Sequence, residues 1–412
     1  MLMTRLLLIC FSLFLFLEKS NCQTLGFAIA NGKKRVEIPI EIQNNLVVVP
    51  VILNDMLPLK FIVDTGVRTA ILTQKAFSDI LQLPYSRKYS ISGPGGEKLI
   101  EAYVTNNVSI ALPGVTGKGH ALLVLEEDYL ELRNFLGTDV HGILGYELFS
   151  RFIVTLNYSR KVMTLTLPEK FRPGKRFQEL PMLVEDTKPF ILTSLNLTAS
   201  NSMTAKLLMD TGASHGLLLE PSTDERIVVP LNTVSAVIGR GLGGIITGKT
   251  GRIESLKLGT YTLNNVLANF PDPNSYMDTL KSTLTFRHGT IGGEILSRFT
   301  AIFNFPQGKF YLRKNSEFKK KFYLNLSGID LKAKGSGLNT FEVSEVRKLS
   351  PAEKAGILSG DLVISVNGIQ SKDLHLNEIN ALLNIKPGRK VSIVIERNAI
   401  RYQLAFRLES QI

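Results

Sequence analysis

Asp64 and Asp210 are the residues of this chain whose type and spacing can do chemistry. Each closes an apolar run, Ile62-Val63 and Leu208-Met209, and opens an Asp-Thr-Gly triplet, and the two triplets lie 146 residues apart. Two carboxylates in contact cannot both ionise cheaply, so such a pair holds one shared proton. The ionised partner can draw a proton from a bound water while the protonated one polarises a carbonyl. That chemistry hydrolyses an amide without a metal, a cofactor or a covalent nucleophile. Its titration belongs to the pair and not to either residue.

For the two carboxylates to meet, a duplicated frame must carry them. A second pair of matching segments supplies it. Gly142-Ile143-Leu144-Gly145-Tyr146-Glu147-Leu148-Phe149-Ser150-Arg151-Phe152 aligns without a gap on Gly289-Thr290-Ile291-Gly292-Gly293-Glu294-Ile295-Leu296-Ser297-Arg298-Phe299. The match runs on into Ile153–Tyr158 and Thr300–Phe305, and the distance from Asp to the first Gly is 78 residues in one half and 79 in the other. A repeat that keeps its spacing this closely indicates two copies of one structural unit. The competing reading, an ordinary turn after a strand, accounts for one Asp-Thr-Gly but not for both duplicated blocks.

An apolar run ending in Asp-Thr-Gly, followed by a Gly-x-[Leu/Ile]-Gly block and a short helix, resembles the pepsin/retropepsin-like aspartic peptidases. The resemblance covers roughly residues 35–315. It implies a mainly β, bilobal acid-protease fold with two pseudo-twofold-related, barrel-like lobes and the site formed within one molecule. It also implies Asp64 and Asp210 as the catalytic dyad. Thr65 and Thr211 then tie the two loops together, while Gly66 and Gly212 let backbone N–H groups approach the carboxylates. The copies are not equal: lobe two continues Ala213-Ser214, the usual family form, whereas lobe one continues Val67-Arg68. A cation next to the dyad would favour an ionised carboxylate, so Arg68 keeps open a degenerate, peptide-gripping scaffold as the alternative to an enzyme.

Between its two motifs each lobe carries a glycine-rich stretch. Gly93, Gly95 and Gly96 lie between strand-like segments in lobe one, and Gly239-Arg240-Gly241-Leu242-Gly243-Gly244 is the counterpart in lobe two. Both fit hairpins that close over substrate, lobe one's being the better flap by position; an ordinary surface hairpin is the other reading. His141 and His288 precede the Gly blocks at aligned positions, where they are expected either to approach each other or to serve as hydrogen-bonded structural residues. The structural role is preferred over a metal for both, and for His215 as well.

The C-terminal part reads as a separate unit. Ser350-Pro351-Ala352-Glu353-Lys354-Ala355-Gly356-Ile357 followed by Gly360-Asp361-Leu362-Val363-Ile364-Ser365-Val366-Asn367-Gly368 resembles PDZ domains of the bacterial protease type over roughly residues 326–410. A PDZ groove takes an extended peptide as an added strand and holds its C-terminal carboxylate on backbone N–H groups. The expected loop is Gly335-Ser336-Gly337-Leu338, before a strand from Phe341 to Val346, so Gly335, Gly337 and Leu338 are the candidate peptide-binding residues. A PDZ packed on the peptidase body with no free groove is the other reading.

Residues 1–22 read as a targeting segment: Arg5 precedes a twelve-residue apolar run, Leu6 to Leu17, too short to span a bilayer comfortably, and cleavage before Gln23 is expected. A lipid anchor at Cys22 is disfavoured because Lys19-Ser20-Asn21 is a poor lipobox. The expected location is outside the cytoplasm, periplasmic, in the cell envelope or secreted. Only Cys10 and Cys22 exist, so the mature chain forms no internal disulfide. The organisation expected is a signal peptide (1–22), lobe one (23–170), an interlobe linker (171–188), lobe two (189–316) and a PDZ domain (326–410). Alternating apolar runs such as Leu46 to Leu53 and Phe190 to Leu197 suit sheets. The formal charge of +12 becomes +11 without residues 1–22, since Arg5, Glu18 and Lys19 sum to +1. No basic, aromatic-interleaved motif points to nucleic acid, and no transmembrane segment is expected. The partners expected are a polypeptide substrate and a peptide C-terminus. No His-Glu-x-x-His, Gly-x-Ser-x-Gly or P-loop occurs.

Overall fold

The apolar alternation does build sheets. The computed structural model describes residues 25–91, 93–95, 99–273 and 285–412; the targeting segment with both cysteines, and Gly96, lie outside them. In lobe one the strands of its main and joining sheets include β1 (Arg35–Pro39), β2 (Glu41–Gln43), β3 (Leu46–Leu53), β4 (Leu57–Val63), β5 (Ala70–Leu72), β6 (Arg87–Ile91), β7 (Ile100–Val108), β8 (His120–Leu125), β9 (Gly142–Leu144), β10 (Ile153–Asn157) and β11 (Val162–Thr166), beside the short strands Gly26–Ile29, Ile110–Ala111 and Val115–Lys118. Helices α1 (Leu132–Leu136) and α2 (Tyr146–Arg151) flank β9.

Lobe two repeats this plan. Its strands are β12 (Gln178–Pro181), β13 (Leu183–Glu185), β14 (Lys188–Thr198), β15 (Asn201–Met209), β16 (Leu217–Leu219), β17 (Thr233–Gly241), β18 (Gly244–Leu258), β19 (Tyr261–Pro271), β20 (Gly289–Ile291), β21 (Phe299–Asn304) and β22 (Lys309–Lys314), with helix α3 (Gly293–Leu296). The main sheet of lobe one runs β2-β3-β4-β9-β5-β8-β7-β6, and that of lobe two runs β13-β14-β15-β20-β16-β19-β18-β17. The two orders superpose strand for strand. Within them β9 lies parallel to β4 and antiparallel to β5, and β20 does the same between β15 and β16. The Gly blocks exist for this crossing: a Cβ on Gly142 would sit 2.4 Å from the Ile71 carbonyl oxygen, and one on Gly289 2.0 Å from that of Leu218.

A third sheet, ordered β12-β22-β21-β10-β11-β1, joins the lobes. Its centre is the antiparallel pair β10–β21, Val154 opposite Phe303 and Leu156 opposite Ala301, which are the repeated segments themselves. The segment read as linker, 171–188, is therefore only partly a connection: β12 is an edge of the joining sheet and β13 pairs with β14. Both lobes share one buried core. Phe303 packs against Phe149 and Phe310 at ring-centroid distances of 5.6 and 4.9 Å and is fully buried, so truncating it to alanine costs roughly 3–5 kcal/mol.

The C-terminal unit has its own core around Phe341, Ile379 and Ile393. Its strands are β23 (Ile329–Lys334), β24 (Thr340–Val346), β25 (Leu362–Val366), β26 (Lys390–Arg397) and β27 (Ile400–Arg407), its helices α4 (Pro351–Lys354) and α5 (Leu376–Leu382). The sheet order is β23-β24-β25-β26-β27. One expectation is corrected here. Gly335, Gly337 and Leu338 form the hairpin turn between β23 and β24, and β24 lies inside the sheet, paired with β23 along its length and with β25 at Phe341 and Glu342, so it is not an edge to which a strand adds. The edge strands are β23, which the sequence reading did not include, and β27, and of these two it is β23 over which α5 packs.

Candidate active site

Asp64 and Asp210 each follow a buried strand, β4 or β15, whose last residues are held by the neighbouring Gly-block strand. The Asp64 N–H donates to the Leu144 carbonyl and the Asp210 N–H to that of Ile291, both at 2.9 Å. Each carboxylate accepts from the glycine two residues on, Gly66 N to Asp64 Oδ1 at 2.6 Å and Gly212 N to Asp210 Oδ1 at 2.8 Å. The loops are locked by their threonines. Thr65 N donates to Thr211 Oγ1 and Thr211 N to Thr65 Oγ1, each at 3.1 Å, while Thr65 Oγ1 donates to Met209 O at 2.6 Å and Thr211 Oγ1 to Val63 O at 2.7 Å. Both hydroxyls are completely buried, which makes these bonds costly to lose.

This lock brings the carboxyls together, and Asp64 shares a hydrogen bond with Asp210. Burial, and then the Asp210 charge, push the Asp64 carboxyl well above the ordinary carboxylate range, against the pull of the Gly66 N–H and of the Lys188 ammonium. The room for glycine is unequal. A Cβ on Gly212 would lie 2.1 Å from Asp64 Oδ2, whereas one on Gly66 would be 3.1 Å from Asp64 Oδ1 and 3.3 Å from Asp210 Oδ2.

The Val67-Arg68 departure is absorbed by the backbone. Val67 O accepts from Tyr146 N at 2.9 Å, as Ala213 O accepts from Gly293 N at 2.7 Å in the other lobe. Arg68 turns away from the dyad: its side chain is 73% exposed and lies 3.9 Å from Asp186.

The histidines do not form a cross-axis pair. His141 Nδ1 accepts from Lys60 N at 3.1 Å and His288 Nδ1 from Lys206 N at 3.0 Å. Each thus ties the Gly block of its own lobe to the strand that leads to the Asp. His215 differs from the hydrogen-bonded role expected of it: its Nδ1 is buried and makes no hydrogen bond among the described residues. Burial pushes its imidazole down to about 4, against the opposing pull of Asp210. No group of three metal-ligating side chains occurs among the described residues.

Both glycine hairpins reach the cleft, and they touch. The Gly243 N–H donates to the Pro94 carbonyl at 3.0 Å, and a Cβ on Gly95 would fall 2.2 Å from Gly244 O. Gly93 faces the Leu242 side chain, which packs with Val67, Ile71, Ile100 and Ile143 in an apolar cluster beside the Asp64 loop. The sequence reading ranked lobe one's hairpin first; the contact between tips, which needs both, was not legible in it.

Comparison with known proteins fits this construction. Residues 49–148 and 196–293 match the family model described as aspartyl protease, one segment per lobe, and residues 342–397 match a PDZ domain. Among curated proteins, the chain is 28% identical over 154 residues to the probable CtpA-like serine protease of Staphylococcus saprophyticus, 37% of this chain and 25% of that one. It is 40% identical over 62 residues to the carboxy-terminal processing protease CtpB of Bacillus subtilis, 15% of this chain and 13% of that one. Over 53 residues it is 45% identical to CtpA of the same bacterium, 13% of this chain and 11% of that one. The chain thus spans a quarter or less of the length of these relatives. No helix among the described residues is long and apolar enough to cross a membrane.

Proposed function

On the premise of an aspartyl-protease-like body duplicated within one chain and followed by a PDZ domain, we propose that this protein is an aspartic endopeptidase. The observation that carries the reading is the pair of carboxyls, Asp64 and Asp210, held in contact by the reciprocal threonine bonds. In the proposed reaction Asp210 takes a proton from a water as the water oxygen bonds to the scissile carbonyl carbon, and Asp64 gives its proton to the carbonyl oxygen. The C–N bond then breaks with a proton passing to the leaving nitrogen, and the pair returns to one shared proton. The apolar wall from Val67 to Leu242 favours apolar side chains next to the cut bond. The serine-protease name belongs to one relative, matched over a quarter of its length, and what supports the aspartic type here is the dyad geometry.

The PDZ domain suggests peptide binding, and we extend the proposal to recruitment or control by a peptide terminus. We place the protein outside the cytoplasm on the strength of Arg5 and the Leu6–Leu17 run; a mature N-terminus other than Gln23 would argue against cleavage there. A non-catalytic scaffold rested on Arg68, and Arg68 lies out of the dyad.

The test is cleavage of a diverse peptide pool across acidic to neutral pH by the mature chain, by Asp64→Asn and by Asp210→Asn, with and without a serine-directed covalent inhibitor. Loss of about a thousandfold in both variants and indifference to the inhibitor are expected. Full activity in Asp210→Asn overturns the reading.

A further inference from the structure

Helix α1 belongs to lobe one, yet it does not face solvent. It lies along β23, the PDZ edge strand, over which α5 also packs. Among the described residues β23 has one strand neighbour, β24, so its other edge carries the N–H and C=O groups to which an added strand would bond. Gly137, which ends α1 at φ +64°, runs against the start of α5: a Cβ there would be 2.4 Å from Leu376 Cβ. Arg133 closes one end of the slot, Nη1 donating to Gly335 O at 3.2 Å and Nη2 to Ser336 O.

At the opposite end of β23 the preceding loop turns its amides inward onto a neutral oxygen. Asn325 Oδ1 accepts from Ser327 N at 3.1 Å and from Gly328 N at 3.2 Å. Leu326 N is held by Asn384 Oδ1 at 3.0 Å. A terminal carboxylate is a stronger acceptor for such N–H groups than a carboxamide.

The same helix bears on the lobe-two hairpin. The Arg240 guanidinium, in β17, sits 4.1 Å over the Phe135 ring, and burial raises the Glu345 carboxyl of β24 against a partial opposing pull from the Val237 N–H of β17. Leu132 packs in the cluster that holds Leu242. The PDZ slot, α1 and a cleft hairpin are thus in one continuous contact.

We propose that the PDZ slot is closed by the protein's own α1, and that an extended peptide ending in a free carboxylate, adding as a strand along β23, displaces α1 and releases the lobe-two hairpin. The proposal rests on reading the chain as a peptidase with a peptide-receiving PDZ, and it names how that site is regulated. Displacing α1 removes the Arg133 and Phe135 contacts, so the ligand acts through its preference for the open state.

The test uses the full mature chain with Asp210→Asn, so that binding is read without turnover. The probe is a fluorescein-labelled peptide with an apolar last residue and a free carboxylate, beside its amidated twin. Adding Arg133→Ala is expected to tighten binding of the free-carboxylate peptide about tenfold, with the amidated peptide weak in both backgrounds. Asp139→Asn, which removes the other partner of Arg133 at 2.7 Å, should leave the affinity unchanged. In Arg240→Ala the peptide should still bind but no longer raise hydrogen exchange over residues 233–250. Equal affinity with and without Arg133, or binding in neither background, overturns the proposal. So does an amidated peptide that binds equally well. In the active chain, stimulated cleavage of an amidated substrate marks the peptide as a regulator in trans; stimulation only for substrates with free termini marks it as the substrate's own end. Failure of the peptidase reading appears instead as no turnover, with these binding results intact.

Discussion

Thr65 and Thr211 each accept the other's backbone N–H at 3.1 Å, and each donates its hydroxyl across the lobe boundary, to Met209 O or Val63 O. Two bonds thus join the threonines and two more run to the opposite lobe's strand, and both residues, one from each copy of the repeat, are fully buried. Thr65→Val keeps the shape but strands the Thr211 N–H and the Met209 carbonyl. It should destabilise the body by about 2–4 kcal/mol. Denaturant unfolding of Thr65→Val, Thr211→Val and the double variant checks this; each substitution removes a different pair of bonds, so the singles should cost alike and the double clearly more than either.

The glycines beside the carboxylates predict an asymmetry. Gly212→Ala places a methyl 2.1 Å from Asp64 Oδ2, while the nearest atom to a Cβ on Gly66 is 3.1 Å away. Gly212→Ala should lower kcat/KM at least a hundredfold by forcing the carboxyls apart, and Gly66→Ala should lose clearly less. Equal losses would place the tight contact elsewhere.

Arg68→Ser, the small hydroxyl at that position in lobe two, should be close to silent. The side chain is 73% exposed and its nearest acid, Asp186, is 3.9 Å away; exposed pairs of this kind are worth roughly 0–1 kcal/mol. A change of kcat/KM beyond about twofold would reinstate Arg68 as a group that acts on the dyad.

The pH dependence of stability has a definite sign at Asp64. Its folded carboxyl titrates well above the ordinary value of 3.8, so the native state binds a proton that the unfolded chain releases. Stability from this group is complete below 3.8 and is lost as pH rises through the raised folded value. Asp64→Asn removes the loss and keeps an oxygen for the Gly66 N–H. The variant should melt higher than the wild type at neutral pH, the gap closing in acid. Activity should likewise persist to a pH above the ordinary carboxylate range, failing when the shared proton leaves the pair.

His215 works in the opposite direction. Its imidazole, pushed down from 6.5 to about 4 by burial, must be charged against its surroundings in acid. The unfolded chain then binds the extra proton, and stability falls as pH drops from 6.5 through about 4. His215→Gln should flatten the decline of Tm across that interval. An unchanged decline would show that other groups set the acid limit.

How much was legible differs from residue to residue. The Asp-Thr-Gly triplets were visible because a buried strand, a tight turn and a close-approach glycine each demand one residue type at one position. The Gly blocks were visible because only glycine fits between crossing strands. PDZ elements such as β25 and α5 showed through turn chemistry and local periodicity. The residue types of Arg133, Phe135 and Arg240 said nothing of their contacts, since an arginine usually reads as solvated surface and one aromatic on a short helix as ordinary packing.

The sequence by itself determined the duplication, the two carboxylates, the threonines and glycines beside them, and the β-rich bodies that carry them. These depend on patterns within a few residues, repeated. Tertiary structure alone decided that the two glycine hairpins meet at Pro94 and Gly243, that β10 and β21 pair across the lobes, and that β23 is an edge strand of the PDZ sheet. It alone set α1 in the PDZ slot, where Arg133 reaches carbonyls 202 and 203 residues further along the chain. Those contacts come from packing whole faces together, and no local residue pattern encodes which face will be covered.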